Sequence, residues 1–267
     1  MKKHLVFLAL TALIAVLYGT SAANNDITCW FPPGWEAKNA EIKAIVNALT
    51  QKSGLTVKPL VAKNYPQILH ALNSEKLCLV YAGSFTQAII QCKGLGTPLV
   101  QAIDGKELYS GIMVYPQGED PAALLKEHPD QIAFAVGASS GESAAKAATQ
   151  GKASIGVPNH NFAASAVATG KAKAAFVKNW WWEDNKSKFP TLAAWEVPEV
   201  SEVKNPDNIL IASKAVSADQ MKKLSNAALT SKEAFNAKSI LPITRAGLEF
   251  SLGLMKKGKI DPLTYTW

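Results

Sequence analysis

The hydrophobic positions of the chain follow two spacings that alternate, and they predict a repeated strand–helix order. Residues 37–53 place apolar side chains three or four positions apart, as on the buried face of a helix, and Gly54 ends the pattern. Residues 77–81 are an unbroken apolar run, which is typical of a strand buried on both faces. The first part of the chain then divides into strands at 26–31, 55–61, 77–81 and 98–103 and helices at 37–53, 65–73 and 84–93. This order predicts a doubly wound parallel sheet.

A second strand–helix unit begins near residue 108. It has predicted strands at 108–115, 131–136, 153–157, 172–177 and 192–197 and helices at 121–128, 142–150 and 161–168. A strand at 209–213 follows, with helices at 218–230 and 245–257 that have no sheet of their own and are assigned to the first unit.

The resulting fold class is α/β, with two doubly wound α/β lobes joined by a two-segment hinge. We assign residues 24–106 plus 214–267 to lobe 1 and residues 107–213 to lobe 2, with hinge crossovers near 105–109 and 205–215. Two such lobes enclose a cleft that can close on a ligand.

The first 23 residues are predicted to be a secretory signal peptide. Lys2 and Lys3 precede an apolar stretch at 5–17, and small residues supply a cleavage site after Ala23, or one residue earlier. The apolar stretch is shorter than the roughly 20 residues of a transmembrane helix. A location in the periplasm follows, with a mature chain of about 244 residues, long enough for two modest lobes.

Composition and charge exclude several classes of protein. A hydrophobic content of 48% with 18% charged residues is typical of a globular chain, not a disordered one. The net charge of +7 comes from scattered lysines, and Arg245 is the only arginine, so a nucleic-acid partner is not predicted. The sequence contains no metal-ligand spacing, nucleophile elbow or P-loop, so we expect no metal, no cofactor and no enzyme activity, with a secreted hydrolase as the rival class.

The strongest local signal for a ligand site is a Ser/Gly turn between the predicted strand at 131–136 and the helix after it. The first turn of a helix has unpaired backbone N–H groups and the positive end of the helix dipole, which together bind anions. The alternative is that a serine here only caps the helix. Four residues of this turn are candidates for contacting an anionic ligand: Ser139, Ser140, Gly141 and Ser143.

A second strand-to-helix turn contains Gly83 and Ser84. Two facing turns, one from each lobe, would hold a ligand from both sides, although a cap is again the alternative for Ser84. His160 lies just before a predicted helix and is either a donor to an anionic oxygen or an ordinary loop histidine.

Aromatic residues mark further positions near the predicted cleft. Trp30 ends the first strand, at the edge of the sheet where α/β proteins bind ligands, and Tyr65 begins a helix. Trp181 is the centre of a run of three tryptophans, which either lines the cleft or packs at the hinge. An aromatic wall would suit an apolar ligand group.

The three cysteines allow one disulfide. Cys78 starts a predicted strand and Cys92 ends the helix that returns beside it, so the two are predicted to pair in an oxidising compartment. Cys29 would stay unpaired. The alternative is three buried thiols.

Five segments carry a family resemblance: residues 65–72, 79–84, 139–141, 159–172 and the end of the chain at 255–267. Together they resemble the periplasmic phosphonate/phosphite-binding proteins of ABC importers, within the type II periplasmic substrate-binding superfamily. The resemblance implies the type II architecture and ligand contacts from Tyr65, Ser84, Ser139, Ser140 and His160.

The chain also departs from the family pattern. Asn161 and Lys173 stand where the family has aspartates, and the Ser-Thr-Ser-Gly loop is shortened to Ser-Ser-Gly. With the resemblance, the sequence predicts a monomeric solute-binding component of an ABC transporter, with a membrane ABC permease as its partner. The expected small-molecule ligand is a phosphonate, phosphite, phosphate ester or other oxyanion. The alternatives are an apolar, lipid-like or sterol-like ligand and a role as a ligand-sensing subunit.

Overall fold

The computed structural model describes residues 26–74, 76–243 and 245–267. The predicted signal peptide lies outside these residues. The strands are β1 (Ile27–Phe31), β2 (Val57–Val61), β3 (Cys78–Ala82), β4 (Gly96–Ile103), β5 (Leu108–Tyr109), β6 (Gly111–Pro116), β7 (Ile132–Ala135), β8 (Ile155–Val157), β9 (Ala174–Lys178), β10 (Leu192–Trp195), β11 (Asn205–Pro206), β12 (Ile209–Ser213) and β13 (Ser239–Pro242).

The α-helices lie between these strands as the strand–helix order requires. They are α1 (Asn39–Ser53), α2 (Tyr65–Asn73), α3 (Ser84–Cys92), α4 (Pro121–Glu127), α5 (Ser140–Ala148), α6 (His160–Ala168), α7 (Asn179–Asn185), α8 (Ala218–Leu229) and α9 (Glu249–Lys257). In the part of the chain that the structure describes, no helix combines the length and hydropathy needed to span a bilayer.

The strands form two sheets, and the two-lobe α/β prediction is confirmed. The first sheet has the order β13-β4-β12-β3-β1-β2, with β1 parallel to β2 and β3 and with β12 antiparallel to both of its neighbours. The second sheet has the order β10-β6-β9-β7-β8, in which β7 is parallel to β8 and β9. Between the sheets, β5 and β11 pair as a short antiparallel ribbon, so the chain passes between the lobes through two hydrogen-bonded segments.

Strand β12 corrects the sequence-based division of the chain. Residues 209–213 were assigned to the second lobe, but β12 pairs with β3 and β4 in the centre of the first sheet. All five residues of β12 are buried. Its apolar sequence would suit the interior of either sheet, so the strands with which it pairs determine its lobe.

The C-terminal helices divide between the lobes. Helix α8 packs on α1 at the first sheet, as predicted, whereas α9 packs against α5 of the second lobe and α3 of the first. One buried apolar cluster therefore runs through both lobes and includes Val80 of β3, Phe176 of β9 and Leu254 of α9. Helix α9, which was assigned to the first lobe, in fact contacts both lobes.

Local boundaries differ from the predictions where a side chain or a partner strand decides them. Helix α5 begins at Ser140, two residues earlier than predicted, because the Ser139 hydroxyl accepts a hydrogen bond from the Glu142 amide at 3.0 Å. The tryptophan run, which was not assigned to an element, forms α7. Strand β13 occupies a segment to which no element was assigned, because its antiparallel pairing with β4, and not a local pattern around Pro242, makes it a strand.

The predicted disulfide is wrong. Cys29, Cys78 and Cys92 are all free thiols. From Cys78 to the start of α3 the strand advances by about 3.3 Å per residue, whereas α3 returns by about 1.5 Å per residue, so Cys92 does not come back level with Cys78. Cys78 is also buried in the sheet, and burial raises the pKa of its thiol to about 11.

Candidate ligand-binding site

A small cavity of about 30 Å³ lies between the lobes at the hinge. Both lobes and both crossing segments contribute to its lining. Pro32, Tyr65, Gly83 and Thr86 come from the first lobe, Tyr109 and Asp207 from the hinge, and Ala138, Ser139, Ser140 and Lys178 from the second lobe. The predicted cleft residues Tyr65, Gly83, Ser139 and Ser140 are thus brought together in one place.

The start of α5 forms the second-lobe wall of the cavity. The Ser139 hydroxyl caps the helix and also donates to the Ala135 carbonyl, so its hydrogen-bonding groups are used internally. The Ser140 hydroxyl lies 3.4 Å from His160 Nε2. Among the described residues, the amides of Ser140 and Gly141 have no hydrogen-bond acceptor. These groups are oriented as donors to an anion at the positive end of the helix dipole.

The start of α3 forms the opposite wall. Gly83 precedes the helix and has no side chain to cap it. In the first turn the Phe85 amide donates to the Tyr109 hydroxyl, whereas within the described chain the amides of Ser84 and Thr86 have no acceptor. A Cβ on Gly83 would lie 2.9 Å from the Tyr109 ring and 3.0 Å from the Asp207 carboxylate, which explains why only glycine fits against these residues. Two helix N-termini from different lobes therefore meet across one cavity.

The Ser84 hydroxyl is held away from the cavity in a buried network. It lies 3.3 Å from the Tyr109 hydroxyl and 2.6 Å from Ser251 Oγ, and Ser251 also bonds Asn205 Oδ1 at 2.7 Å. This network ties α3 to the hinge ribbon and to α9. Ser84 thus does not line the cavity, but its side chain contacts the hydroxyl of Tyr109, which does.

An ion pair between Lys178 and Asp207 supplies charge to the cavity. Lys178 ends β9 in the second lobe, Asp207 follows β11 in the hinge, and their side chains form a salt bridge with limited exposure. The Lys178 ammonium also lies 4.6 Å from the centroid of the Tyr109 ring. The lysine adds a positive charge beside the helix N-termini, and the carboxylate adds a hydrogen-bond acceptor.

Tyr65 and Tyr109 are neutral hydroxyl groups in this setting. Burial, together with the Asp207 charge, raises the pKa of both phenols well above the ordinary value. Both side chains therefore keep their protons at every physiological pH, and each offers one O–H donor.

His160 is a neutral imidazole beside the cavity. Burial, and secondarily the charge of Lys178, lowers the pKa of its ring to about 3. The ring packs on Tyr65 at 6.3 Å and on Trp181 at 5.8 Å between centroids. Its Nδ1 is buried and has no partner within the described residues. His160 is neither an exposed loop residue nor a cation, and it borders the site through Ser140.

Besides Ser84, four more of the predicted site residues do not line the cavity. Gly141 packs α5 against β9, because a Cβ there would lie 2.4 Å from the Phe176 carbonyl oxygen. The Ser143 hydroxyl is buried away from the lining. Trp30 packs on the core, and Trp181 lies between His160 and Phe189.

Sequence reasoning missed Pro32, Thr86, Tyr109, Ala138, Lys178 and Asp207. Three of these had a usable signal. Lys178 stands at the carboxyl end of a buried strand, and Tyr109 and Asp207 lie in the two predicted crossovers, where chain segments border a cleft. No group of three or more potential metal ligands occurs in the described part of the chain.

The sequence matches the model of a protein family. That family is described as the periplasmic substrate-binding protein of phosphonate ABC transporters, and the match spans residues 36–247. No curated protein matches the chain in sequence.

Solved structures with the same fold include phosphonate-binding proteins. A Prochlorococcus marinus protein in complex with methylphosphonate is 14% identical, with a TM-score of 0.68 over 88% of this chain and 98% of that one. A binding protein component of an ABC phosphonate transporter from Pseudomonas aeruginosa is also 14% identical, with a TM-score of 0.67 over 88% of each chain. A Xanthomonas citri protein bound to ATP is 10% identical, with a TM-score of 0.65 over 88% of this chain and 97% of that one. At these identities the likeness shows the shared fold.

Proposed function

The chain belongs to the family of periplasmic substrate-binding proteins of phosphonate ABC transporters, and we propose that its interlobe cavity captures a small phosphonate or related oxyanion for import. One observation carries this proposal. The N-termini of α3 and α5, from opposite lobes, meet at a cavity that also contains Lys178.

The donors around the cavity suit a tetrahedral oxyanion. The free amides of the two helix N-termini bind oxygens from opposite sides, and the hydroxyls of Tyr65, Tyr109 and Ser140 add directional hydrogen bonds. Lys178 compensates the ligand charge. Because donors come from both lobes, the ligand binds the closed arrangement more tightly than an open one and shifts the protein toward closure.

Asp207 suggests how the site discriminates among anions. A carboxylate cannot approach a bare anionic oxygen favourably, but it accepts a hydrogen bond from a protonated one. A singly protonated phosphonate or phosphate offers that O–H group, and sulfate at neutral pH does not. We therefore expect phosphonate, phosphite and phosphate to bind more tightly than sulfate.

A lipid or sterol ligand has less support. The cavity of about 30 Å³ is small and lined largely by hydroxyls, amides and an ion pair. Trp30 and Trp181, which would have formed an aromatic wall, pack elsewhere. We propose binding without chemistry, since the family consists of transporter subunits.

Calorimetric titration with methylphosphonate, phosphite, phosphate and sulfate tests the ligand class. Ser140→Ala and Lys178→Met should each weaken binding of the preferred anion roughly 10–100-fold, because each removes a hydrogen bond or charge contact to an ion. Ser187→Ala and Lys173→Met, at exposed positions, are the matched controls and should bind as the parent protein does. The proposal fails if both site variants bind like their controls.

The cellular part of the proposal is a periplasmic monomer that delivers its ligand to a membrane permease. It rests on the predicted leader at 1–23 and on the family. Mass spectrometry of the protein secreted by a Gram-negative host should find a mature N-terminus at Asn24. A retained leader would contradict this location.

A further inference from the structure

The C-terminal tail, residues 258–267, runs along α5 from one end of the helix to the other. At the helix C-terminus, Gly258 approaches so closely that an added Cβ would lie 3.0 Å from the Ala147 nitrogen. At the helix N-terminus, the Tyr265 hydroxyl reaches the turn that precedes Ser139. The tail thus connects to the wall of the cavity without lining it.

The Tyr265 hydroxyl makes three hydrogen bonds at this turn. It donates to Glu142 Oε2 at 2.7 Å and accepts from the amides of Gly137 at 3.1 Å and Ala138 at 3.0 Å. Glu142 Oε2 shares the same two amides at 3.0 and 2.9 Å. Glu142 is buried, so each of these donors satisfies a carboxylate that water does not reach freely.

The turn held in this way has an unfavourable backbone. Gly137 has φ of +96°, and Ala138 has φ of +58°, a left-handed conformation that is unfavourable for a residue with a Cβ. Ala138 lines the cavity and directly precedes Ser139 and Ser140. The direction of the Ser140 and Gly141 amides therefore depends on keeping this turn in place.

The far end of the tail is fixed to the first lobe. The Trp267 ring lies 5.9 Å from the His70 ring of α2 and 5.2 Å from the Lys93 ammonium, and Lys93 also donates to the Leu263 carbonyl at 2.7 Å. Asp261 folds the tail internally through the Leu263 amide and the Thr264 hydroxyl. Tyr265 is therefore presented to the second lobe by a segment anchored on the first.

We propose that Tyr265 is a positioning residue for the anion site. Through Glu142 and the amides of Gly137 and Ala138, it holds the turn before α5 so that the Ser140 and Gly141 amides face the cavity. This inference rests on the proposed function in naming the ligand as an oxyanion. The effect of Tyr265 on the conformation of the turn does not depend on any ligand and can be tested separately.

Tyr265→Phe removes the hydroxyl and keeps the ring. We expect its affinity for methylphosphonate to fall about tenfold, because the amides lose an acceptor and the carboxylate loses a donor. Thr264→Val removes a neighbouring hydroxyl that bonds only within the tail, and its affinity should stay within about twofold of the parent value. Glu142→Gln should also weaken binding, and its effect should not add to that of Tyr265→Phe, since both act through one network.

Hydrogen exchange of the peptide spanning residues 136–142 tests the turn without ligand. Exchange should be faster in Tyr265→Phe than in Thr264→Val. Unchanged exchange in Tyr265→Phe, or additive losses of affinity in the double variant, would overturn the inference. If exchange responds but the parent protein binds no oxyanion, the proposed function fails and the role of Tyr265 in holding the turn is upheld.

Discussion

The buried imidazole of His160 should make the stability of this protein depend on pH. Burial and Lys178 lower the pKa of His160 to about 3 in the folded chain, whereas an unfolded chain has a histidine pKa of about 6.5. Below pH 6.5 the unfolded state therefore binds a proton that the folded state does not. This contribution to stability is complete above pH 6.5 and is lost progressively as the pH falls toward 3.

The size of the effect follows from linkage. Each pH unit below 6.5 changes the free energy of unfolding by about 1.4 kcal/mol for one such group, so lowering the pH from 8 to 5 should cost about 2 kcal/mol through His160 alone. Carboxylates also titrate toward the acid end of this range, so the parent curve by itself does not isolate the histidine.

A comparison of two proteins separates the contribution of His160 from that of the carboxylates. Urea unfolding of the parent protein and of His160→Gln, measured at pH 8, 7, 6 and 5, gives two pH profiles whose difference reports the ring. The difference in unfolding free energy should shrink by about 2 kcal/mol between pH 8 and 5. Ser187→Ala, at an exposed position and without a titratable group, should follow the parent profile. A His160→Gln profile parallel to the parent, or a His160 ring that titrates near pH 6.5 by NMR, would refute the reasoning.

Three further changes test the walls of the cavity. Gly141→Ala places a Cβ 2.4 Å from the Phe176 carbonyl oxygen, so it should lower the free energy of unfolding in urea by about 1–3 kcal/mol and weaken oxyanion binding. Its control is Gly253→Ala on α9, which has open space around it and should be neutral or stabilising. Gly83→Ala crowds Tyr109 and Asp207, and calorimetry should show weaker anion binding; unchanged affinity would place the ligand elsewhere. Raising the salt concentration from 0.05 to 0.5 M should weaken anion binding less in Lys178→Met than in the parent, and equal salt dependence would exclude a charge contact at Lys178.

Sequence periodicity predicted the elements whose pattern is set by their own residues. Helix α2 was predicted with its observed bounds from the spacing of Ile68, Leu69 and Leu72, which are buried in the structure. The Asn64 side chain caps its first turn. Strand β12 was predicted to exist but was placed in the wrong lobe, and β13 was not predicted at all. In both strands the deciding interaction is pairing with a strand more than 100 residues away, which local patterns do not contain.

The same limit applies to the site. The two helix N-termini could be predicted, because each follows a buried strand and a turn of small residues. The partners Lys178 and Asp207 lie 29 residues apart, and only the return of the chain through the hinge brings them together. A single isolated lysine, Lys178, therefore supplies the positive charge beside the two helix N-termini.

If an oxyanion binds in the cavity as proposed, the division of donors between the lobes sets the order in which it gains its contacts. Helix α5 and Lys178 belong to the second lobe and α3 to the first, so an oxyanion meets only one set while the cleft is open. The donors of the other lobe contact the ligand only in the closed state, and these contacts stabilise that state. A ligand that cannot reach the donors of both lobes has no preference for the closed state and does not increase its population. On the proposed function, we therefore expect the cavity to select compact anions through geometry as well as charge. An anion with an apolar extension should bind tightly only if the extension does not prevent the walls that contain Gly83 and Ser140 from closing on it.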